Sequence, residues 1–490
     1  MSNTHRAQLP FDFVCDALQS CNLRLVGPGH CTNRPVGICT DSRHIQPGDL
    51  FFALTGECFD GHDFAQQALK AGAHAVVLRA DRQLPTKEGL QLLVNDPLTA
   101  LQHVAHTHLQ RLSAVRIGIT GSVGKTTTKE LVKAVLQACL GPQAVLASTG
   151  NYNNHVGLPL SALQANSKHK ALVFEMGMNH AGEIARLAHI AKPHIGLITN
   201  ISYNHQAFFP NIEAIARAKG ELFDALAHQK ETIAIAHSDD KRCMHLLDKT
   251  SCRHLTFGWN RQADVRILSI HNPENIPERL QGQWLVLQHG NKTQRAWVPV
   301  IGESHANNAA AAVAVAVAMG LDFSHACKGL QQMQPVGRRL QVQPLKNDVL
   351  LLDDSYNASP KACEAALQVL QQLPANRRIA CLGDMLELGN DAAALHRDVG
   401  KLCVQHGVSQ LFACGPLSIN YINGSLQAGM PKTCCHHFDN SRQLAQQVVS
   451  HIKPADAVLV KGSLSTNMHP VVQALQKHVG FNPPATARLS

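Results

Sequence analysis

The segment VRIGITGSVGKTTTKE, residues 115–130, combines residue types that can bind phosphate groups. Its glycines lack a Cβ atom, so the turn between them can bring backbone N–H groups close to a polyanion. Lys125 can reach the terminal phosphates of a nucleotide, and Thr126, at the start of the next helix, can offer its hydroxyl to Mg²⁺. The residues predicted to bind ATP or GTP here are Gly121, Ser122, Val123, Gly124, Lys125, Thr126 and Thr127.

The spacing of this segment is shorter than that of the usual phosphate loop, because only Ser122 and Val123 separate the glycines. The usual pattern has about four residues there. An ordinary glycine-rich turn between a strand and a helix is the alternative interpretation. The run GKTT directly after an apolar strand favours a phosphate loop, since this context is what confirms such a motif.

Length and composition exclude several classes of protein. A chain of 490 residues is too long for one hydrophobic core and predicts about three domains. The start MSNTHRAQLP has no apolar signal segment, and we expect no membrane span. The net charge of +9 is spread along the chain, so we expect no nucleic acid partner. Fifteen cysteines without a secretory signal predict reduced thiols and a cytoplasmic location.

Alternating strands and helices predict an α/β fold with three domains. From residue 115 onward, apolar strands alternate with helices as in a parallel sheet that is covered on both faces. A polar stretch at residues 260–300 predicts an antiparallel extension. After residue 335, further strands followed by helices predict a doubly wound sheet. The predicted domains are a small N-terminal α/β domain (1–108), a central P-loop domain with a parallel sheet (109–333) and a C-terminal Rossmann-like domain (334–490).

Three ionisable residues could complete a phosphate site. Glu175 ends the strand ALVFE, where its carboxylate would face the same edge of the sheet as the phosphate loop and could hold Mg²⁺. His205 follows the strand IGLITN by a few residues, and Lys219 lies in a predicted helix. Taken singly, each has an ordinary alternative, namely a solvent-facing glutamate, a loop histidine and a surface lysine.

The order of these residues resembles a known family. TGSVGKTTTKE, GNYNNHVGLPL, EMGMNHAGEI, TNISYNH and ARAKGE follow one another as in the Mur ligase family of ATP-dependent amino-acid and peptide ligases. The resemblance implies that Thr126, Glu175 and His205 bind magnesium. It also implies that Lys219 is carbamylated by CO₂ and helps to place a second Mg²⁺ ion, because a buried lysine with a depressed pKa can react in this way.

Further blocks are similar to one branch of this family. LLDDSYNASPKA, LGDMLELG, VLVKGSLSTNM and TDSRHIQPGDLFFALTGECFDGHDF resemble ligases that join D-alanyl-D-alanine (D-Ala-D-Ala) to UDP-N-acetylmuramoyl-tripeptide (UDP-MurNAc-tripeptide), a peptidoglycan precursor. The resemblance spans roughly residues 40–470 and implies ATP and two Mg²⁺ ions as cofactors. We also expect a monomer. For ATP, it implies Asn308 at adenine, Asp354 at the ribose and Arg338 at the phosphates. For the substrate, it implies Ser42, Arg43, Asp60, Gly61 and His62 at the UDP-sugar end, with Asn153, Asn154, Lys461, Gly462 and Ser463 further along the cleft.

Two alternatives stay open on the sequence. One is another ligase of this family that adds a single amino acid, or a folate polyglutamylating enzyme, although LDDSYNASP and GDMLELG argue against both. The other is a P-loop switch ATPase that forms no covalent product. Such a switch has no use for two metal positions or a third α/β domain. The chain departs from the family pattern at Ser304–His305, Leu464 and His469.

Overall fold

The computed structural model describes residues 8–28, 33–85, 89–203 and 207–480. Within these ranges the strands form three sheets that follow one another along the chain. Each sheet is largely parallel and is covered by helices, so the predicted three-part α/β fold class is confirmed. No helix in these ranges is both long and apolar enough to cross a membrane.

The N-terminal unit lies within residues 8–110. Its strands and helices are β1 (Gln8–Pro10), α1 (Phe11–Leu18), β2 (Arg24–Val26), β3 (Pro35–Cys39), β4 (Leu50–Phe52), α2 (Ala65–Lys70), β5 (Ala75–Arg79), β6 (Leu90–Val94) and α3 (Pro97–Gln110). The sheet has the order β1-β3-β4-β5-β6-β2. Strands β3 to β6 are parallel, and the two edge strands pair antiparallel to them.

The central unit lies within residues 115–332 and contains the nine-stranded sheet β15-β14-β13-β12-β11-β10-β7-β9-β8. Its elements are β7 (Val115–Thr120), α4 (Lys125–Leu140), β8 (Val145–Ala147), α5 (Gly157–Ala162), β9 (Ala171–Glu175), α6 (Glu183–Ala191), β10 (Ile195–Ile198), α7 (Ile212–Ala227), β11 (Ile233–His237), α8 (Lys241–Asp248), β12 (Arg253–Gly258), β13 (Val265–His271), α9 (Ile276–Arg279), β14 (Gln283–His289), β15 (Lys292–Val298), α10 (Glu303–Ala318) and α11 (Phe323–Gly329). The last two strands pair antiparallel, as the alternation at residues 260–300 predicts.

Apolar packing fixes the two faces of the central sheet. Helices α4, α10 and α11 share one buried cluster with the strands, and the Ala- and Val-rich helix α10 is buried along most of its length. On the other face, α6 and α7 share a buried cluster with α1 and α3 of the N-terminal unit. Each fully buried Val or Leu in such a cluster contributes about 1.5–3 kcal/mol. The N-terminal and central units are therefore joined through a continuous apolar core.

The C-terminal unit lies within residues 341–480. Its elements are β16 (Gln341–Pro344), β17 (Leu350–Asp354), α12 (Pro360–Gln372), β18 (Arg377–Gly383), α13 (Ala392–Gln405), β19 (Gln410–Cys414), α14 (Ile419–Gln427), β20 (Cys435–Phe438), α15 (Ser441–Val448), β21 (Asp456–Lys461) and α16 (His469–Val479). The sheet order is β16-β17-β21-β18-β19-β20, parallel except for β16. Apolar clusters lie on both faces, as in a doubly wound sheet.

The cysteines differ in one respect from the sequence-based expectation of reduced thiols. Thirteen described cysteines are free. Cys15, however, is disulfide-bonded, and its partner lies outside the described residues. The expectation of fully reduced thiols is therefore wrong at this position.

Candidate functional site

The predicted phosphate loop connects β7 to α4. Gly121 has φ 147° and Gly124 has φ 88°, which are conformations that side-chain-bearing residues rarely adopt. A Cβ atom at Gly121 would collide with the hydroxyl of Thr199, and one at Gly124 would collide with the amide of Asn308. The loop is therefore built for glycine at both positions. It leads into the N-terminus of a 16-residue helix, which favours bound anions.

Residues that follow β10 hold this loop in place. Asn200 accepts a hydrogen bond from the Val123 N–H at 3.1 Å and donates one to the Val123 carbonyl at 2.8 Å. The Ser122 hydroxyl donates to the Ser202 carbonyl at 2.9 Å, and Thr199 donates to Val123 at 2.7 Å. Sequence reasoning singled out this TNIS segment only as the lead into His205. The signal that could have identified its role is its position after the strand next to β7.

Lys125 is folded back over the loop. Its Nζ donates to the carbonyl of Gly121 at 2.8 Å and to that of Ser122 at 3.4 Å. Burial lowers the pKa of Lys125, and Arg339 lowers it further, whereas Glu175 acts in the opposite direction. Thr126 and Thr127 are buried behind it, 6% and 4% exposed. The loop thus presents a desolvated cation and backbone dipoles, which is a suitable arrangement for a polyphosphate.

Glu175 ends β9, the strand that pairs with β7 through the register Ile119 to Glu175. Its side chain is buried, with Oε1 accepting from Asn153 Nδ2 at 2.8 Å. Its Oε2 has no hydrogen-bond partner in the described part of the chain. A buried carboxylate oxygen needs a donor or a cation. Together with the Thr126 hydroxyl, this oxygen fits Mg²⁺, which binds to few protein ligands and keeps water and phosphate oxygens.

Lys219 lies on α7 and is 1% exposed. Burial, and then the charge of Lys125, hold the pKa of Lys219 well below its usual value. His205 lies outside the described residues. Among the residues that are described, no cluster of three or more His, Cys, Asp or Glu side chains could hold a metal ion. Of the predicted magnesium-binding residues, the structure thus describes Thr126, Glu175 and Lys219.

A cavity of about 940 Å³ joins the central and C-terminal units. The predicted site residues that line it are Ser122, Val123, Gly124, Lys125, Thr126, Thr127, Asn153, Asn154, Glu175, Asn308, Asp354, Lys461 and Ser463. They come from parts of the chain more than 300 residues apart in sequence. The structure thus brings the phosphate loop and the third-domain motifs to one place.

The predicted UDP-sugar residues lie in the N-terminal unit, apart from this cavity. Arg43 forms two hydrogen bonds with Asp41, at 2.9 and 2.7 Å, and this pairing holds the pKa of Asp41 well below its usual value. His62 is buried, contacts Asp60 at 2.6 Å and accepts from the Arg79 N–H at 3.0 Å. Asp60 and His62 therefore form a preorganised pair at this end of the molecule.

Comparison with known proteins places this architecture in a family. The Mur ligase family catalytic domain matches residues 36–112, the Mur ligase middle domain matches 119–316, and the Mur ligase glutamate ligase domain matches 338–464. The UDP-N-acetylmuramoyl-tripeptide–D-alanyl-D-alanine ligase of Bacillus subtilis is 33% identical over 90% of this chain and 93% of its own. The chain belongs to the Mur ligase family.

Other relatives agree with this assignment. The corresponding ligase of Synechocystis is 38% identical over 89% of this chain and 91% of its own. A crystal structure of MurF from Acinetobacter baumannii superposes with a TM-score of 0.85 at 28% identity, covering 97% of this chain and all of that one. A MurF ligase from Thermotoga maritima in complex with ADP superposes with a TM-score of 0.77 at 26% identity. The match covers 90% of this chain and 97% of that one.

In this Mur ligase, the position of Arg338 does not fit its predicted contact with the ATP phosphates. Arg338 has φ 64°, and its guanidinium donates to the hydroxyl and carbonyl of Ser355 at 3.1 and 2.7 Å. Arg339 lines the cavity instead, with its guanidinium 4.1 Å from the ring centre of Tyr356. The left-handed backbone at residue 338 turns the first arginine away from the cavity and the second towards it.

Lys461 and Asp354 form a buried ion pair at the ends of two neighbouring strands, 2% and 8% exposed. The Lys461 ammonium also donates to the Asn357 carbonyl at 2.9 Å. Burial raises the pKa of Asp354, and Lys461 opposes this shift. The two residues form an ion pair and both line the cavity. The contacts of Asp354 with the ribose and of Lys461 with the substrate stay predictions. Ser463 accepts from the Leu386 N–H at 2.9 Å and shapes the cavity wall.

Replacing Lys461 with methionine tests this ion pair. Lys461→Met leaves the Asp354 carboxylate buried without its cation, so we expect the free energy of unfolding to fall by about 3–5 kcal/mol. Denaturant unfolding followed by circular dichroism measures this change. Lys453→Met, at an exposed position, is the matched control and should stay close to the parent protein. Equal stability of the two variants would show that the pair does not stabilise the fold.

Proposed function

We propose that this Mur ligase uses ATP to join D-alanyl-D-alanine to UDP-N-acetylmuramoyl-tripeptide, releasing ADP and phosphate. Relatives with this name are 30–38% identical over about 90% of the chain. The observation that carries the proposal is a single cavity that contains both the phosphate loop and a buried carboxylate with one unpartnered oxygen. Such a cavity can hold a nucleotide, a metal ion and the carboxylate that is activated.

The chemistry follows from the poor reactivity of a carboxylate. Its carbon has no leaving group, so the terminal carboxylate of the tripeptide first attacks the γ-phosphorus of ATP and ADP leaves. The resulting acyl phosphate is then attacked by the amine of D-alanyl-D-alanine. The tetrahedral intermediate expels phosphate, the amine loses a proton, and an amide is formed. Lys125 and the loop N–H groups would offset the negative charge on the transferred phosphoryl oxygens.

The nucleotide base would lie near the start of α10. Asn308 is 6% exposed and contacts Gly124 of the phosphate loop. His305, also buried, lines the same cavity, and its Nδ1 has no hydrogen-bond partner in the described part of the chain. Burial and the charge of Arg339 lower the pKa of His305 to about 4, so its ring is neutral at physiological pH. A neutral imidazole and an amide are suitable partners for a purine edge, and Arg339 would face the phosphates.

The metal-binding residues would be Thr126 and Glu175, with His205 and a carbamylated Lys219 at a second position. Bound Mg²⁺ would neutralise charge on the phosphates and on the acyl group. Lys219 is suited to carbamylation, because a depressed pKa raises the fraction of neutral, nucleophilic amine. The neutral amine would attack CO₂ and lose a proton, which gives an anionic carbamate close to the charge of Lys125.

The C-terminal unit would protect the acyl phosphate from water. The cavity lies between two units that are connected by residues 335–337, and the Ala207 N–H donates to the Glu387 carbonyl across the gap at 3.0 Å. Closure about this connection would exclude water from a group that hydrolyses readily. We further propose a monomer that acts in the cytoplasm, where ATP and UDP-linked substrates occur.

Omission of single components tests the proposed reaction. We expect phosphate release only when ATP, Mg²⁺, UDP-MurNAc-tripeptide and D-Ala-D-Ala are all present, with a UDP-pentapeptide detected by mass spectrometry. Release with ATP alone and no amide product would favour a switch ATPase. Efficient ligation of single D-alanine would favour another branch of the family.

The phosphate loop is tested by Lys125→Ala. We expect kcat to fall by about 100-fold or more, because the charge that offsets the transferred phosphoryl group is lost. Lys133→Ala, on an exposed face of the same helix, is the control and should retain the parent rate. Steady-state ligation kinetics measure both variants. Near-parental turnover of Lys125→Ala would contradict the assignment of this loop.

The carbamate is tested by chemical rescue. Lys219→Ala should lose about 100-fold or more of the rate, and acetate or formate should restore part of it by replacing the missing carboxylate-like group. The Lys125→Ala variant is the control, since an added anion cannot replace an ammonium. Full activity of Lys219→Ala without any added acid would exclude a functional carbamate.

A further inference from the structure

Arg186 lies where the N-terminal and central units meet and also lines the cavity. It belongs to α6, whereas its hydrogen-bond partner Gln102 belongs to α3 of the N-terminal unit. The Arg186 Nε donates to the Gln102 Oε1 at 2.9 Å. No sequence motif drew attention to either residue. Their contact places a cation at the junction of the N-terminal and central units, in the wall of the cavity that contains the phosphate loop.

The guanidinium is held by a partner that is itself fixed. Gln102 is 7% exposed, and its Nε2 donates to the His155 carbonyl at 2.7 Å. His155 directly follows Asn153 and Asn154, and Asn153 donates to Glu175. Two hydrogen bonds therefore tie Arg186, through Gln102, to the segment 153–155, whose Asn153 side chain contacts Glu175. Such preorganisation reduces the entropy that is lost when a ligand binds.

Two carboxylates close to Arg186, those of Glu183 and Asp96, have other hydrogen-bond partners. Glu183, on the same helix, accepts from the N–H groups of Asn179 and His180 at 2.6 and 3.1 Å. Asp96, whose pKa is lowered in part by the charge of Arg186, caps α3 by accepting a hydrogen bond from the Thr99 N–H at 2.8 Å. In the described part of the chain, no hydrogen bond or ion pair involves the terminal nitrogens of Arg186. Those nitrogens form the planar fork that matches a carboxylate.

The peptide part of the proposed substrate would extend past Arg186. Its UDP-sugar end is expected at the N-terminal unit, and its terminal carboxylate is expected at the phosphate loop. The peptide between these ends lies along the junction that contains Arg186. The name of one solved relative gives such a peptide as alanyl-D-glutamyl-2,6-diaminopimelate, which carries free carboxylates besides the one that is activated.

We propose that Arg186 binds a free carboxylate of the peptide part of the substrate and is a specificity-determining residue. This inference rests on the proposed function, and two carboxylates meet the description. One belongs to the glutamyl residue, and the other is the distal carboxylate of a diaminopimelyl third residue. A tripeptide that ends in lysine carries only the free glutamyl carboxylate, whereas one that ends in diaminopimelate carries both. Comparing the two substrates therefore shows which carboxylate Arg186 binds.

Arg186→Gln is assayed with both tripeptides. We expect KM for the UDP-tripeptide to rise by about 10- to 100-fold, with kcat within about twofold, because a charge-assisted hydrogen bond to a non-reacting group is lost. A rise confined to the diaminopimelate substrate identifies the distal carboxylate, and an equal rise with both identifies the glutamyl carboxylate. An unchanged KM with both substrates, or a loss confined to kcat, overturns the proposal.

Matched variants separate this role from a structural one. Arg217→Gln, at an exposed position on the neighbouring helix, should leave KM unchanged. Arg186→Lys should recover part of the affinity, and Gln102→Ala should raise KM less than Arg186→Gln does. Calorimetric binding of the UDP-tripeptide without ATP gives an independent reading. If the parent protein binds the tripeptide but forms no amide, the proposed function fails, while loss of binding in Arg186→Gln still supports this inference.

Discussion

The site depends on the pairing of β7 with β9 on one side and β10 on the other. Parallel strands end at the same edge of a sheet, so the phosphate loop after β7 lies beside the carboxylate that ends β9. The segment after β10 then supplies the amide and hydroxyl groups that hold the loop. A shift of one residue in the β7–β9 register would turn Glu175 to the opposite face of the sheet. The apolar strands and the two helical layers fix this register because each face of the sheet is buried.

Buried positive charge is the second constraint on this region. Lys219 is buried and Lys125 is partly buried; the charge of Lys125 lowers the pKa of Lys219, and the charge of Arg339 lowers that of Lys125. Uncompensated charges in a low dielectric are costly. The orphaned oxygen of Glu175 offsets only part of that cost, so an anionic ligand such as a polyphosphate stabilises the arrangement. The positive charge at this cavity therefore favours the binding of a nucleotide.

The three units contribute differently to the cavity and to its surroundings. The central unit contributes the loop 121–127 and Glu175 to the cavity, and the C-terminal unit contributes a wall that contains the Lys461–Asp354 pair. The N-terminal unit shares an apolar core with the central unit, which makes α3 and α6 a fixed junction and not a hinge. The proposed closure would therefore take place about residues 335–337. Leu464, 51% exposed in the cavity, leaves an apolar surface there where the family pattern has arginine.

The sequence by itself determined the features that depend on local patterns. The strand before the phosphate loop, the helix at residues 183–191 and the strand at 410–414 follow from apolar periodicity and turn residues, and the fold class follows from their alternation. The order of motifs also determined the family. Tertiary structure alone decided which side chains meet. A left-handed backbone at residue 338 directs Arg339, and not Arg338, into the cavity. Lys461 pairs with Asp354, which lies 107 residues earlier in the chain. Arg186 met Gln102 across 84 residues. Such contacts depend on long-range packing and on individual dihedral angles, which leave no periodic trace in the sequence.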